Sequence, residues 1–237
     1  MRLYAITDRR LLAGTHENGR LSAAERDGLV RLAAEWAALG VKYVQLREKD
    51  LGVQDLTELA AAMLAAMRDS AVRNSGVGDR VAGDSGAGDS VLRKQPRLLV
   101  NAGAAGAAEA VRAVGAAGVH LPGRWSAEQV GTARIVGVVS AGCHSVGEVA
   151  VARTAGADMA LLSPIFPTES HPEARPLGLE VLAAACKTAG RMPVYALGGV
   201  NPANADACIA AGAAGVAGIR TFLPGRWTSE LKEAKHG

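Results

Sequence analysis

Short apolar runs alternate with longer amphipathic stretches along most of the chain. The runs are LYAIT (3–7), YVQLR (43–47), LLVN (98–101), GVHL (118–121), IVGVV (135–139), MALLS (159–163), VYAL (194–197) and GVAGI (215–219). Each has the length and apolar content of a buried strand. Between them, LVRLAAEWAAL and LTELAAAMLAAM repeat apolar residues at helical spacing. Strands alternating with helices predict an α/β protein with a parallel sheet. Gly precedes the strand in LGVKYVQL, AGVHL, AGADMALL and AGAAGVAGI. That is the usual residue past a helix C-terminus, where the chain turns left-handed. A repeated helix–Gly–strand unit predicts a single (β/α)8 barrel domain over 1–237. The alternative, a doubly wound sheet, usually carries a G-x-G-x-x-G turn after its first strand. Here that turn reads TDRRLLAG.

One stretch departs from the pattern. SGVGDRVAGDSGAGDSVLRK (75–94) repeats Gly-Asp and Gly-Ser units and holds few apolar residues. It reads as a flexible insertion on the N-terminal face, the face that tolerates loops.

Composition narrows the class. The 237 residues are 49% hydrophobic, enough for one sizeable core. A net charge of +3, scattered Lys and Arg, and 3% aromatics argue against a nucleic-acid surface. No apolar stretch approaches the roughly 20 residues of a membrane span. The start, MRLYAITDRR, has no signal-peptide pattern and suits a cytoplasmic protein. Cys143, Cys186 and Cys208 are odd in number, lack metal-ligand spacing and suit a reducing compartment. Cys186 and Cys208 read as core residues. Nothing fixes the oligomeric state, so a homo-oligomer stays open.

Barrel chemistry sits where the strand C-termini converge. Those ends bring Thr7, Asp8 and Arg9, then Gln45, Arg47 and Lys49, then Asn101, His120 and His144. Alternation in VQLREKD places Gln45, Arg47 and Lys49 on one side, which suits a ligand with phosphate or diphosphate oxygens. Gly198 and Gly199 in ALGGVNP, and Gly218, Ile219 and Arg220 in GVAGIRTF, lie where such barrels commonly hold a phosphate on backbone amides. The loop SPIFPTESHPEARPLG is long for a strand-to-helix connection and reads as a lid, with Thr168, Ser170 and His171 facing the ligand. His144 precedes Ser145 and Glu148, a capping-box spacing. A helix N-terminus there favours a neutral imidazole, a competent general base near pH 7. Cys143 has no evident activating partner.

Taken in order, LYAITDR, VQLREKD, LLVN, GVHLPG, CHSVGEV, GADMALLSPIFPTESHP, PLGLE, PVYALGGVNPAN and AGAAGVAGIRTF resemble the thiamine phosphate synthase superfamily, including its TenI-like thiazole tautomerase branch. The resemblance covers nearly all the chain outside 75–94. It implies a TIM barrel, a small phosphorylated thiazole or thiamine-related substrate, and no nucleic-acid or membrane partner. Gln45, Arg47 and Lys49 match the synthase residues for the pyrimidine and its diphosphate, and Asn101 matches the Asn after strand three. Other positions depart. The acid after the strand-three Asn is Ala102, and Trp125 stands at the second acid. His171 replaces the loop Lys, and Gly142 the Ser two residues before His144. Mg2+ needs hard oxygen ligands, normally carboxylates with substrate phosphates. The leading expectation is therefore a thiazole tautomerase-like enzyme with no cofactor, in which His144 moves the proton. A divergent synthase using Mg2+ and a non-catalytic binder of thiazole or thiamine phosphate are the alternatives.

Overall fold

The computed structural model describes residues 1–12, 16–74, 96–103, 106–170 and 172–226. Its strands are β1 (Arg2–Ile6), β2 (Tyr43–Leu46), β3 (Arg97–Asn101), β4 (Gly118–Leu121), β5 (Val138–Cys143), β6 (Met159–Leu162), β7 (Val194–Leu197) and β8 (Gly215–Gly218). Each pairs in parallel with its sequence neighbours, and β1 pairs with β8 to close the barrel. The helices are α1 (Ala23–Ala38), α2 (Val53–Asn74), α3 (Ala107–Val114), α4 (Ala127–Arg134), α5 (Val146–Ala155), α6 (Gly178–Ala189) and α7 (Pro202–Ala210).

Local chemistry sets the helix ends. Ser22 accepts from the Glu25 N–H at 3.3 Å while its own N–H donates to the Glu25 carboxylate at 2.9 Å, which starts α1. The same exchange between Ser126 and Gln129 starts α4. Gly115 and Gly156 end α3 and α5 in the left-handed conformation. In AGVHL the helix-ending Gly is thus Gly115, whereas Gly118 already belongs to β4.

Strand alternation produces two apolar cores. Outward residues such as Val44, Leu98, Val100, Val139 and Ala196 pack against the helices. Inward Tyr4, Ile6, Leu99, Met159, Leu161, Tyr195 and Ala217 fill the cylinder. The rings of Tyr4, Tyr43 and Tyr195 meet at centroid distances of 5.7–6.0 Å. Trp36 ties α1 to the segment after β8 by donating its indole N–H to the Phe222 carbonyl at 2.8 Å.

The fifth strand is displaced from its expected span of 135–139. Ile135 caps α4 and is 78% exposed, and Gly137 turns the chain at φ 147° before β5 begins at Val138. The apolar run IVGVV therefore bridges a helix end and a strand start. The expected insertion at 75–94 lies outside the described residues. No helix among the described residues is long and apolar enough to cross a membrane.

Candidate functional site

The C-terminal ends of the strands open onto a cavity of about 1250 Å³. Its floor is two-sided. Gln45, Asn101 and His120 supply polar groups from β2, β3 and β4, while Leu161, Leu197 and Ala217 supply apolar surface from β6, β7 and β8. Such a floor suits a flat ligand with one polar edge. Tyr4 donates its hydroxyl proton to Gln45 Oε1 at 3.1 Å, fixing the amide from below. His120 Nδ1 lies 2.9 Å from the Ser140 hydroxyl. Burial first, then the charges of Arg47 and Lys49, bring its pKa down to about 3, so the ring is neutral at pH 7.

Arg47 and Lys49 extend beyond the end of β2 into the cavity wall, as the alternation predicts. The turn carrying them is held by Thr7, whose hydroxyl donates to Glu48 at 2.7 Å and accepts the Arg47 N–H at 2.8 Å. Burial, with Arg47 and Arg10 nearby, lowers the Lys49 pKa. Asp8 is engaged by Arg10, with two 2.7 Å contacts, and lies 3.7 Å from Arg47. Arg9 does not reach the mouth, contrary to its expected place there. It is 1% exposed and meets Glu48 at 3.1 Å, Asp50 at 2.7 Å and Glu25 at 3.5 Å. A guanidinium can be buried there because three carboxylates face it.

The opposite wall is backbone. Gly198 and Gly199 have φ of 89° and 67°, and a methyl on Gly199 would run into the Pro167 carbonyl. Only Gly fits so close an approach in that conformation. Gly218, Ile219 and Arg220 complete this wall. Among the described residues, the amides of Gly199 and Ile219 donate to no acceptor and remain open to an anion. Arg220 donates to the Ser170 hydroxyl at 2.8 Å and lies 3.4 Å from Glu169, tying the loop after β6 to the end of β8. Thr168 lines the cavity beside them. His171 lies outside the described residues.

His144 stands between the walls, just before the Ser145 N-cap of α5. The Ser145 hydroxyl accepts the Glu148 N–H at 3.1 Å as the spacing predicts, but the N–H of His144, rather than that of Ser145, donates to the Glu148 carboxylate at 2.8 Å, so the return half of the exchange is shifted by one residue. Nδ1 of His144 lies 2.8 Å from the Ser163 carbonyl, which can only accept. That contact assigns a proton to Nδ1, so in the neutral ring the lone pair is on Nε2. Cys143 is buried, and burial pushes its thiol up to about 12, unlike a nucleophile.

The oxygen ligands that Mg2+ requires are poorly supplied. Ala102 and Trp125 offer none, and the cavity carboxylates Asp8 and Glu169 face arginines. Among the described residues, no three His, Cys, Asp or Glu side chains gather as a metal site. These residues do not fit a carboxylate-held Mg2+.

Several site residues carried no sequence signal of their own. Arg10 and Arg226 line the cavity, and the Ser163 carbonyl sets the His144 tautomer. Backbone acceptors have no residue signature, and contacts across the mouth have no fixed spacing.

Comparison with known proteins places this geometry among relatives. The family model described as thiamine monophosphate synthase matches residues 89–222. A Geobacter sulfurreducens protein named provisionally as a thiamine-phosphate synthase is 36% identical over 227 residues, covering 93% of this chain and 86% of its own. The thiamine-phosphate synthase of a Roseiflexus species is 32% identical over 227 residues, covering 93% and 78%. The solved thiamine phosphate pyrophosphorylase from Pyrococcus furiosus shares the fold with a TM-score of 0.69 at 23% identity, over 99% of this chain and 94% of that one.

Proposed function

The chain belongs to the thiamine monophosphate synthase (TMP-TENI) family, and from that premise we propose that it acts in thiamine biosynthesis as a thiazole tautomerase-like enzyme. The substrate is a thiazole carboxylate phosphate in its unaromatised form. Its phosphate rests on the amides of Gly199 and Ile219, with Gly198 and Gly218 allowing close approach and Arg220 adding charge. The ring lies on the two-sided floor, beside Gln45, Asn101 and neutral His120. Arg47 and Lys49 face its carboxylate. Nε2 of His144 takes the ring-carbon proton and delivers it to the exocyclic carbon, and aromatisation drives the shift.

The observation that carries this reading is the 2.8 Å contact from His144 Nδ1 to the Ser163 carbonyl. It holds a base at the cavity wall in the tautomer the reaction needs. The purified protein should accelerate aromatisation equally with and without EDTA. His144→Ala should lower kcat by about 10²–10⁴-fold, the usual contribution of general acid–base catalysis. Aromatisation no faster than in buffer would refute the reading.

The relatives' names favour a second reading, in which the chain couples a pyrimidine diphosphate to the thiazole phosphate as a synthase. Gln45, Arg47, Lys49 and Asn101 are compatible with that substrate pair, whereas Ala102 and Trp125 weaken a Mg2+-assisted departure of pyrophosphate. Thiamine phosphate formation that requires Mg2+ would establish this reading.

A further inference from the structure

The turn after β4 and the end of β5 are fastened in a way the proposed reaction leaves unexplained. Trp125, half-buried against the helix-facing core, donates its indole N–H to the Gly142 carbonyl of the neighbouring β5 at 2.7 Å. Gly142 itself has no room to spare. A Cβ there would lie 3.2 Å from the Gly123 nitrogen and 3.3 Å from the Leu121 carbonyl oxygen. Bare backbone at 142 thus lets the β4 turn close onto β5. Arg124 makes the fold-back at φ 68°, the left-handed region that non-glycine residues rarely enter. The turn brings Gly123 against the His144 ring. A Cβ on Gly123 would lie 2.7 Å from Nε2 and 3.1 Å from Cδ2. The imidazole is therefore confined on both sides, by the Ser163 carbonyl at Nδ1 and by Gly123 at Nε2.

We infer that Trp125 is a positioning residue and Gly123 a gate. The Trp125–Gly142 bond pins the β4 turn so that the unsubstituted Cα of Gly123 sets how closely a ligand carbon approaches His144 Nε2. Trp125 then has a role of its own at a position where the superfamily resemblance places an acid. The inference rests on the reading of His144 as the base, and its test is chosen to separate the two.

Gly123→Ala and Trp125→Phe are compared with the wild-type full chain. Gly123 has no left-handed φ, so Ala adds a methyl without backbone strain. Phe keeps an aromatic ring against the core while removing the indole donor and the pyrrole part of the ring. Three readouts are taken: kcat and KM for aromatisation, the imidazole ¹⁵N shifts of His144, and its acylation rate by diethyl pyrocarbonate, followed by mass spectrometry. Gly123→Ala should lower kcat on the order of 10²-fold, the scale of about 1 Å of misplacement, with KM nearly unchanged. It should also slow acylation at His144. Trp125→Phe should lower kcat less and shift the His144 ¹⁵N signals while the protein stays folded. Wild-type ¹⁵N signals and acylation rates in both variants would overturn the inference. If the wild-type protein does not aromatise the thiazole, the assignment of the base fails, and the spectroscopic and acylation measurements still decide the positioning.

Discussion

On the β1–β2 side of the mouth, Arg47 and Lys49 reach the cavity from a scaffold of closed ion pairs. On the β7–β8 side, the cavity wall is open backbone, with Arg220 alongside. The first side offers long charged side chains, and these carry rotamer entropy that must be lost on binding. A rigid base limits that loss. Buried Arg9 joins Glu48, Asp50 and Glu25 beneath the turn, and Glu48 is also bonded to Thr7, which holds the Arg47 amide. The second side needs no such base, because its donors are backbone amides, and Gly198 and Gly199 are held at positive φ. One side thus resists change through buried charge, and the other through steric exclusion.

The largest expected effect lies on the charged side. Arg9→Met leaves Glu25 and Glu48 buried without their cation. Breaking a buried pair in this way costs about 3–5 kcal/mol, and a chain of this size melts roughly 2–4 °C lower per kcal/mol. Calorimetry should therefore show a drop of roughly 10 °C. An unchanged melting temperature would mean that the network does not support the turn.

A smaller effect is expected on the glycine side. Gly199→Ala places a side chain at φ 67° and against the Pro167 carbonyl. Strain of that kind costs on the order of 1–3 kcal/mol. It should appear chiefly as weaker binding of the thiazole phosphate by calorimetric titration, about 10-fold or more. Equal affinity in Gly199→Ala would remove the phosphate from this wall.

The smallest effect concerns acid stability. Hydrogen bonds from Arg9, against some burial, hold the Asp50 carboxyl well below the usual carboxylate range. A depressed folded pKa contributes stability above the unfolded value of about 3.9 and loses it as pH falls below that value. Asp50 is 37% exposed, so solvent screening limits its contribution. Asp50→Asn should cost roughly 1 kcal/mol at pH 7 and flatten the loss of stability below about pH 4. Urea unfolding across that range tests both. An acid limb as steep as that of the wild type would assign it to other carboxylates.

Much of the barrel was legible because strand and helix periods differ, and β4 and β7 fall on their expected spans. The displaced β5 shows the limit of apolar runs, since Ile135 and Val136 continue the run without belonging to the strand. In the site, the polar alternation of Gln45, Arg47 and Lys49 could be read because period-two geometry persists past the strand end. Arg9 could not be separated from Arg10. Adjacent arginines look alike until the fold sets three carboxylates around one of them. The Trp125–Gly142 bond was equally hidden, because it spans 17 residues and ends on a carbonyl.

Closure of the cylinder by β1 against β8 also bears on how the protein comes into being. Those strands pair Arg2 with Gly215, so the seam forms only after both strands, far apart in sequence, have been synthesised. Contacts of such sequence separation are slow to form. The amides of Gly199 and Ile219 lie near this late seam, at the ends of β7 and β8. A phosphorylated ligand held there would act as a clasp on the finished ring, so cellular supply of the ligand should govern how long the folded protein persists.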